Sequence, residues 1–114
     1  MTCSSASRQR RCISTTSAAP YIEAGQPTQL TKPPGQILED GYYHSLGHGV
    51  GLDVHEYPSL GRSGAEPMVP GDVIAVEPGT VDPDHGGMRV EDLLLVTEDG
   101  YENLTASFTY DLTP

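Results

Sequence analysis

Glycine stands at every second position through the middle of this chain, at 47, 49 and 51 within "HSLGHGVGLDVHEYP", His44 to Pro58. Each glycine weakens a helix by about 1 kcal/mol relative to alanine, so three within five residues argue against one. His44 and His48 have the spacing of two ligands on one helical turn, but these glycines remove that reading. The zinc-protease pattern H-E-x-x-H fails too, because His55-Glu56 is followed by Tyr57-Pro58 with no second histidine. What the glycines suggest is backbone in tight contact with other strands, or in special turns. A regular strand would point His48 and His55 to opposite faces, so a bulge or bend is needed to aim both at one site. A single histidine is usually an ordinary polar residue. Three of the chain's four histidines gathered here favour a site.

The rest of the pattern reads as short strands. "VPGDVIAVEPG" predicts turn, strand, turn: Pro70-Gly71 opens, Asp72 to Glu77 is β-rich, and Pro78-Gly79 closes. "GGMRVEDLLLVTEDGYENLT" predicts a strand from Met88 to Val96, a turn at Glu98-Asp99-Gly100, and a return strand from Tyr101 to Thr105. "GQILEDG" predicts a short helical turn ended by Gly41. Residues 35–114 are therefore expected to be mostly antiparallel β with little helix. Domains commonly run to ~100–150 residues, so a chain of 114 residues fits one small domain with one modest core. Trp is absent and Phe108 is the only Phe, which leaves aliphatics and six Tyr to fill that core.

Strand periodicity makes a statement about the carboxylates. Val73, Ala75 and Glu77 share one face of their strand. In the next strand Arg89, Glu91, Leu93 and Leu95 share one face, while Val90, Leu94 and Val96 line the other. Glu91 is thus expected to be substantially buried, where a carboxylate costs several kcal/mol unless a positive partner meets it. Arg89 and a metal ion are both fitting partners. Taken singly, Glu77 reads as a solvated residue at a strand end.

Composition limits the partners. The formal net charge of −10 argues against nucleic acid or an anionic membrane, and no run approaches the roughly 18 apolar residues of a membrane helix. The charge is uneven: residues 1–34 hold Arg8, Arg10, Arg11 and Lys32 against Glu23 alone, and every other acid lies in 35–114. Residues 1–34 read as a disordered or unrelated segment, with Pro- and Gly-containing linker over 21–34. The Arg- and Ser-rich start also fits an organelle transit peptide, though it lacks the apolar centre of a secretory signal. Cys3 and Cys12 do not make a disulfide framework, so a reduced, cytoplasmic setting is the default.

At this point three blocks, "HSLGHGVGLDVHEYP", "PGDVIAVEPGT" and "GGMRVEDLLLVTEDGYENLT", together resemble the signatures of the pita-bread metallopeptidases. The resemblance is to the Xaa-Pro aminopeptidases and Xaa-Pro dipeptidases (prolidases), with methionine aminopeptidases and creatinases more distant. It runs from about Gly35 to Thr105 in matching order and spacing. It implies an α+β fold, the C-terminal half of a pita-bread catalytic domain, occupying residues 35–114. By resemblance, His48, Glu77 and Glu91 are metal ligands, with Glu77 also handling the proton of the attacking water and Glu91 bridging two ions. His44 and His55 match histidines that hold substrate and stabilise the tetrahedral intermediate, and Arg89 matches an arginine bracing the site.

The resemblance further implies two divalent ions and hydrolysis of a peptide bond beside proline. Carboxylate and imidazole donors suit manganese, cobalt, iron or zinc without choosing among them. Two more ligands are expected, aspartates upstream of the histidine block, yet Asp40 is the only Asp before His44. The implied reading is a fragment of such a peptidase, impaired in activity. A non-catalytic metal- or partner-binding remnant is the alternative. A homo-oligomer or a complementing half-domain are the macromolecular partners to consider, the latter because a half-sheet exposes an edge and an apolar face.

Overall fold

The structure is a computed structural model that describes residues 18–61 and 67–108. The basic start of the chain, with Cys3 and Cys12, lies outside the described residues, as does Arg62. Among the described residues, seven short strands follow in chain order: β1 (Gly47–Gly49), β2 (Glu56–Ser59), β3 (Val73–Val76), β4 (Gly79–Asp82), β5 (Gly86–Arg89), β6 (Asp92–Val96) and β7 (Tyr101–Asn103). Five form one sheet in the order β2-β1-β3-β6-β7, and β4 and β5 form a separate hairpin. Every pairing between these strands is antiparallel, as the alternation of turns and β-rich runs predicts.

The sheet is built around its most β-prone segment. Val73, Ile74, Ala75 and Val76 of β3 pair with Leu95, Leu94, Leu93 and Asp92 of β6. Ile74 and Ala75 are buried together with Leu38, Tyr42, Leu60 and Ala18. The core is thin for this sheet: none of the five residues of β6 is fully buried. Leu104, Tyr101 and Met88 are exposed nearby in the chain.

Residues 18–23, partly expected as linker, are helical. They bring Tyr21 into a stack on Tyr42, with ring centroids 4.5 Å apart. Burial, and then the neighbouring Tyr42, raises the Tyr21 phenol above its ordinary value of 10.0. Thr28 is buried, its hydroxyl bonded to that of Thr31, and Thr80 Oγ1 donates to Gln26 Oε1 at 2.7 Å.

Three local expectations are corrected. No helical turn forms over 36–41. Gly41 instead bridges β4, its N–H donating to Val81 O at 2.7 Å and its carbonyl accepting from Val81 N–H at 3.1 Å. Its φ of 74° and the Pro27 carbonyl, which a Cβ would overlap, require glycine for a sheet contact rather than for a helix end. Pro78-Gly79 does not turn the chain back, because Gly79 opens β4. Finally, the run from Met88 to Val96 divides at Val90-Glu91, since β5 pairs with β4 whereas β6 pairs with β3. Glu91 sits at that junction and is exposed, not buried. Two different partner strands, invisible to strand periodicity, break what the pattern joins.

One polar anchor holds β6 to the residues after β7. The Thr105 hydroxyl donates to Asp92 Oδ1 at 2.7 Å and accepts from Leu93 N–H at 3.2 Å. Asn103 Oδ1 accepts the Thr105 N–H at 2.8 Å. Thr105→Val keeps the shape and removes the hydroxyl, leaving Asp92 Oδ1 without that donor. Urea unfolding is expected to show a loss of about 1–3 kcal/mol, with Thr105→Ser retaining most of it.

Among the described residues no helix is long and apolar enough to cross a membrane.

Candidate metal centre

β1 is three residues long and lies between two partners. His48 stands opposite Ala75 on one side and Ser59 on the other. The flanking glycines make this possible: a Cβ at Gly47 would overlap the Ala75 carbonyl oxygen, and one at Gly49 would overlap that of Tyr57. Gly47 and Gly49 are therefore seats for neighbouring backbone, as close strand contact predicts. They hold the His48 backbone between two strands and leave its side chain partly buried.

The imidazole is oriented by its own strand. His48 Nδ1 lies 2.8 Å from Gly49 O, and a carbonyl only accepts, so Nδ1 carries the proton. In the neutral ring, Nε2 then presents a lone pair. It faces Glu77 Oε1 at 3.6 Å, too long for a hydrogen bond.

Glu77 follows β3 directly and is fixed by its backbone, whose N–H donates to Leu46 O at 2.7 Å. It is 7% exposed, so the expectation of a solvated strand end is set aside by the packing. Its Oε2 accepts from Arg89 Nη1 at 2.9 Å. Arg89 ends β5, where it pairs with Gly79 of β4, so the hairpin brings the guanidinium to the carboxylate. Arg89 thus meets Glu77, where the sequence suggested Glu91 as its partner.

The bend required between His48 and His55 is present. β1 and β2 slip in register, with His48 opposite Ser59 and Gly49 opposite Glu56, which leaves Tyr57 and Pro58 as extra residues on β2. This bulge folds the chain so that the His55 ring meets the His48 ring edge-on, centroids 4.5 Å apart and planes at 86°. Both rings line an open groove of about 510 Å³ that is also bordered by Ser45, Glu56, Tyr57 and Ser59. Sequence reasoning assigned none of those four to a site.

Two expected site residues do not line the groove. His44 packs edge-on against Tyr42 and Tyr43, with its Nδ1 2.7 Å from Ser45 O, and it is not among the groove's lining residues. Glu91 does not complete a triad. Among the described residues no group of three His, Cys, Asp or Glu stands close enough to hold an ion. The fourth histidine, His85, belongs to the β4–β5 turn, where its Nδ1 lies 3.0 Å from Asp82 Oδ1. That side-chain hydrogen bond, followed by the Asp84 N–H, holds the Asp82 carboxyl below its ordinary value.

The donor chemistry of His48 and Glu77 fits a divalent ion. In the neutral ring the Nε2 lone pair and a carboxylate oxygen face each other across 3.6 Å. Two ligands at ~2.1 Å from one ion are roughly 3–3.4 Å apart in octahedral or tetrahedral geometry, so a small adjustment would seat both. The pair offers two donors side by side, and Arg89 holds the second carboxylate oxygen.

The chain is similar to known proteins. Metallopeptidase family M24 matches residues 12–98. A Xaa-Pro dipeptidase of Pyrococcus furiosus is 47% identical over 93 residues, covering 74% of this chain and 27% of that protein. The prolidase structure from Pyrococcus horikoshii OT3 superposes with a TM-score of 0.56 at 44% identity, over 61% of this chain and 20% of its own. A zinc-substituted aminopeptidase P from E. coli in complex with product gives a TM-score of 0.50 at 40% identity, over 60% of this chain and 18% of its own. The chain spans about a quarter of the length of the curated relatives it matches.

Proposed function

Since this chain belongs to metallopeptidase family M24, we propose that it furnishes part of a divalent-metal site for hydrolysing a peptide bond next to proline. The observation that carries this reading is the facing pair, His48 Nε2 and Glu77 Oε1, each held from behind by the Gly49 carbonyl or by Arg89. Zinc, manganese, cobalt and iron all suit one imidazole and carboxylates. A divalent ion supplies Lewis-acid polarisation of the peptide carbonyl and a lowered pKa for a nearby water.

The chain's own residues divide the remaining work. His48 and Glu77 hold the ion. Glu77, whose Oε2 stays with Arg89, would also accept the proton of the attacking water. His55, exposed at the groove and against His48, donates toward the substrate oxygen where negative charge develops. By family resemblance His44 would also hold the substrate and Glu91 would be a third ligand, although among the described residues Glu91 forms no three-residue group with His48 and Glu77. Peptides or dipeptides containing proline are the substrates.

We further infer that the chain alone is impaired. Two converging donors, with Glu91 outside the pair, do not build a dinuclear centre, and no residue before His44 other than Asp40 can serve as the expected aspartate pair. The partly buried face of β6 also suits a complementing half-domain or a second copy. A cytoplasmic setting goes with this reading. A non-catalytic metal-binding remnant is the second reading, favoured by the same shortage of ligands.

Calorimetry with manganese and cobalt, run beside an Xaa-Pro dipeptide assay, tests both parts. The expected result is one weakly bound ion without turnover. Two tight ions with turnover would overturn the impairment, and no binding at all would remove the metal reading.

A further inference from the structure

The segment 50–55 leaves β1 and returns to β2 as a run of bends, with Leu52 and Val54 almost fully exposed. Little packing holds such a loop, yet it ends on His55, whose ring must stand against His48 for both to share the groove. Glu56, the next residue, is placed to restrain it. Its Oε1 accepts the Asp53 N–H at 2.8 Å. The same carboxylate lies over the bare Cα of Gly51, where a Cβ would overlap its carboxyl atoms. The backbone of Glu56 is itself anchored as the first residue of β2, opposite Gly49. The side chain thus folds back from a fixed strand end across the loop that precedes it.

We propose that Glu56 is a positioning residue: its carboxylate latches the loop 50–55 through the Asp53 amide and the open face of Gly51, and so sets the His55 ring against His48. The consequence for substrate handling rests on the function proposed above. The geometry does not, and it is measurable without metal or substrate. A carboxamide offers the same acceptor oxygen, so the latch needs the oxygen and not the charge. Gly51 has no left-handed φ, and the overlap at its Cβ is with the movable end of a side chain. Alanine there should displace the carboxylate while leaving the fold intact.

The test is NMR on the full isotope-labelled chain without metal, comparing Glu56→Ala, Glu56→Gln and Gly51→Ala with the unaltered protein. Two signals are followed: the nuclear Overhauser cross-peak between the His48 and His55 rings, and the hydrogen-exchange protection of the Asp53 amide. Glu56→Ala and Gly51→Ala are expected to lose the cross-peak and to drop Asp53 to the exchange rate of an open loop. Glu56→Gln is expected to retain both. The Ile74 and Ala75 amide shifts report that the sheet is intact; if Glu56→Ala fails to fold, Gly51→Ala and Glu56→Gln still decide the matter. Retention of both signals in a folded Glu56→Ala or Gly51→Ala overturns the latch, and so does their loss in Glu56→Gln. Failure of the unaltered chain to bind manganese would instead overturn the metal reading, and these spectra would not change.

Discussion

His48→Ala and Glu77→Ala are each expected to abolish the binding of manganese or cobalt seen by calorimetry. The reason is the small number of donors. In a site with many ligands, loss of one leaves a weaker site. Here His48 Nε2 and Glu77 Oε1 are the two that converge, and one donor with water does not distinguish the groove from any surface carboxylate. His48→Ala also leaves the buried Glu77 carboxylate facing empty space on its Oε1 side, while Arg89 continues to hold Oε2. Glu77→Gln separates charge from shape: the amide fits the same space, yet it offers the ion no negative charge, so binding is expected to fall at least ~10-fold. Glu91→Ala gives the complementary result. If it abolishes binding as well, Glu91 joins the ion as third ligand. Binding that survives in both His48→Ala and Glu91→Ala would remove the site assignment altogether.

Gly47→Ala and Gly49→Ala are expected to be strongly destabilising. Each new Cβ would meet a backbone carbonyl of a neighbouring strand, Ala75 for Gly47 and Tyr57 for Gly49, and backbone cannot rotate aside as a side chain can. Relief requires moving β1 away from β3 or β2, breaking ladder hydrogen bonds on that side. A loss of about 3 kcal/mol or more is expected for each, a large share of the roughly 5–15 kcal/mol that stabilises an ordinary domain. Gly100→Ala is the control, because nothing lies within 4 Å of its Cβ and its φ is not left-handed; it should be neutral or slightly stabilising. Urea unfolding followed by circular dichroism measures all three. Equal midpoints for Gly47→Ala and Gly100→Ala would mean that β1 does not sit between β2 and β3 as described.

Much of this was legible in the residues. The antiparallel β character, the turn at Pro70-Gly71 and the return strand near Tyr101 follow from local composition, because a strand's β-branched run and the glycine of its turn are contiguous in sequence. The need for a bend between His48 and His55 was legible as a contradiction: two residues of opposite parity on one strand cannot face one site. The register slip of β1 against β2 is how the fold resolves it.

Other features were not legible, each for a definite reason. Periodicity assigns faces within a strand but not the partner strand, so the run Met88–Val96 read as one element although its two halves pair with different strands. That error placed Glu91 inside. The same blindness concealed that the buried carboxylate is Glu77, because its burial comes from the β1 and β5 residues brought to it and from nothing in "VEPG" itself. Gly41 was read as a helix end because its left-handed conformation serves equally well for a close backbone approach, and only the position of Pro27 and Val81 separates the two. The groove residues Ser45, Glu56, Tyr57 and Ser59 carry no local signal, since it is tertiary folding that brings them beside His48 and His55.

The sequence by itself determined the donor set and the local chemistry: which imidazoles and carboxylates exist, and where glycine permits backbones to touch. These are properties of single residues and their immediate neighbours. Tertiary structure alone decided which donors meet. Strand pairing joins residues many positions apart, such as His48 with Glu77 and Glu77 with Arg89, and one slip of register or one change of partner strand moves a side chain to the other face or to another sheet.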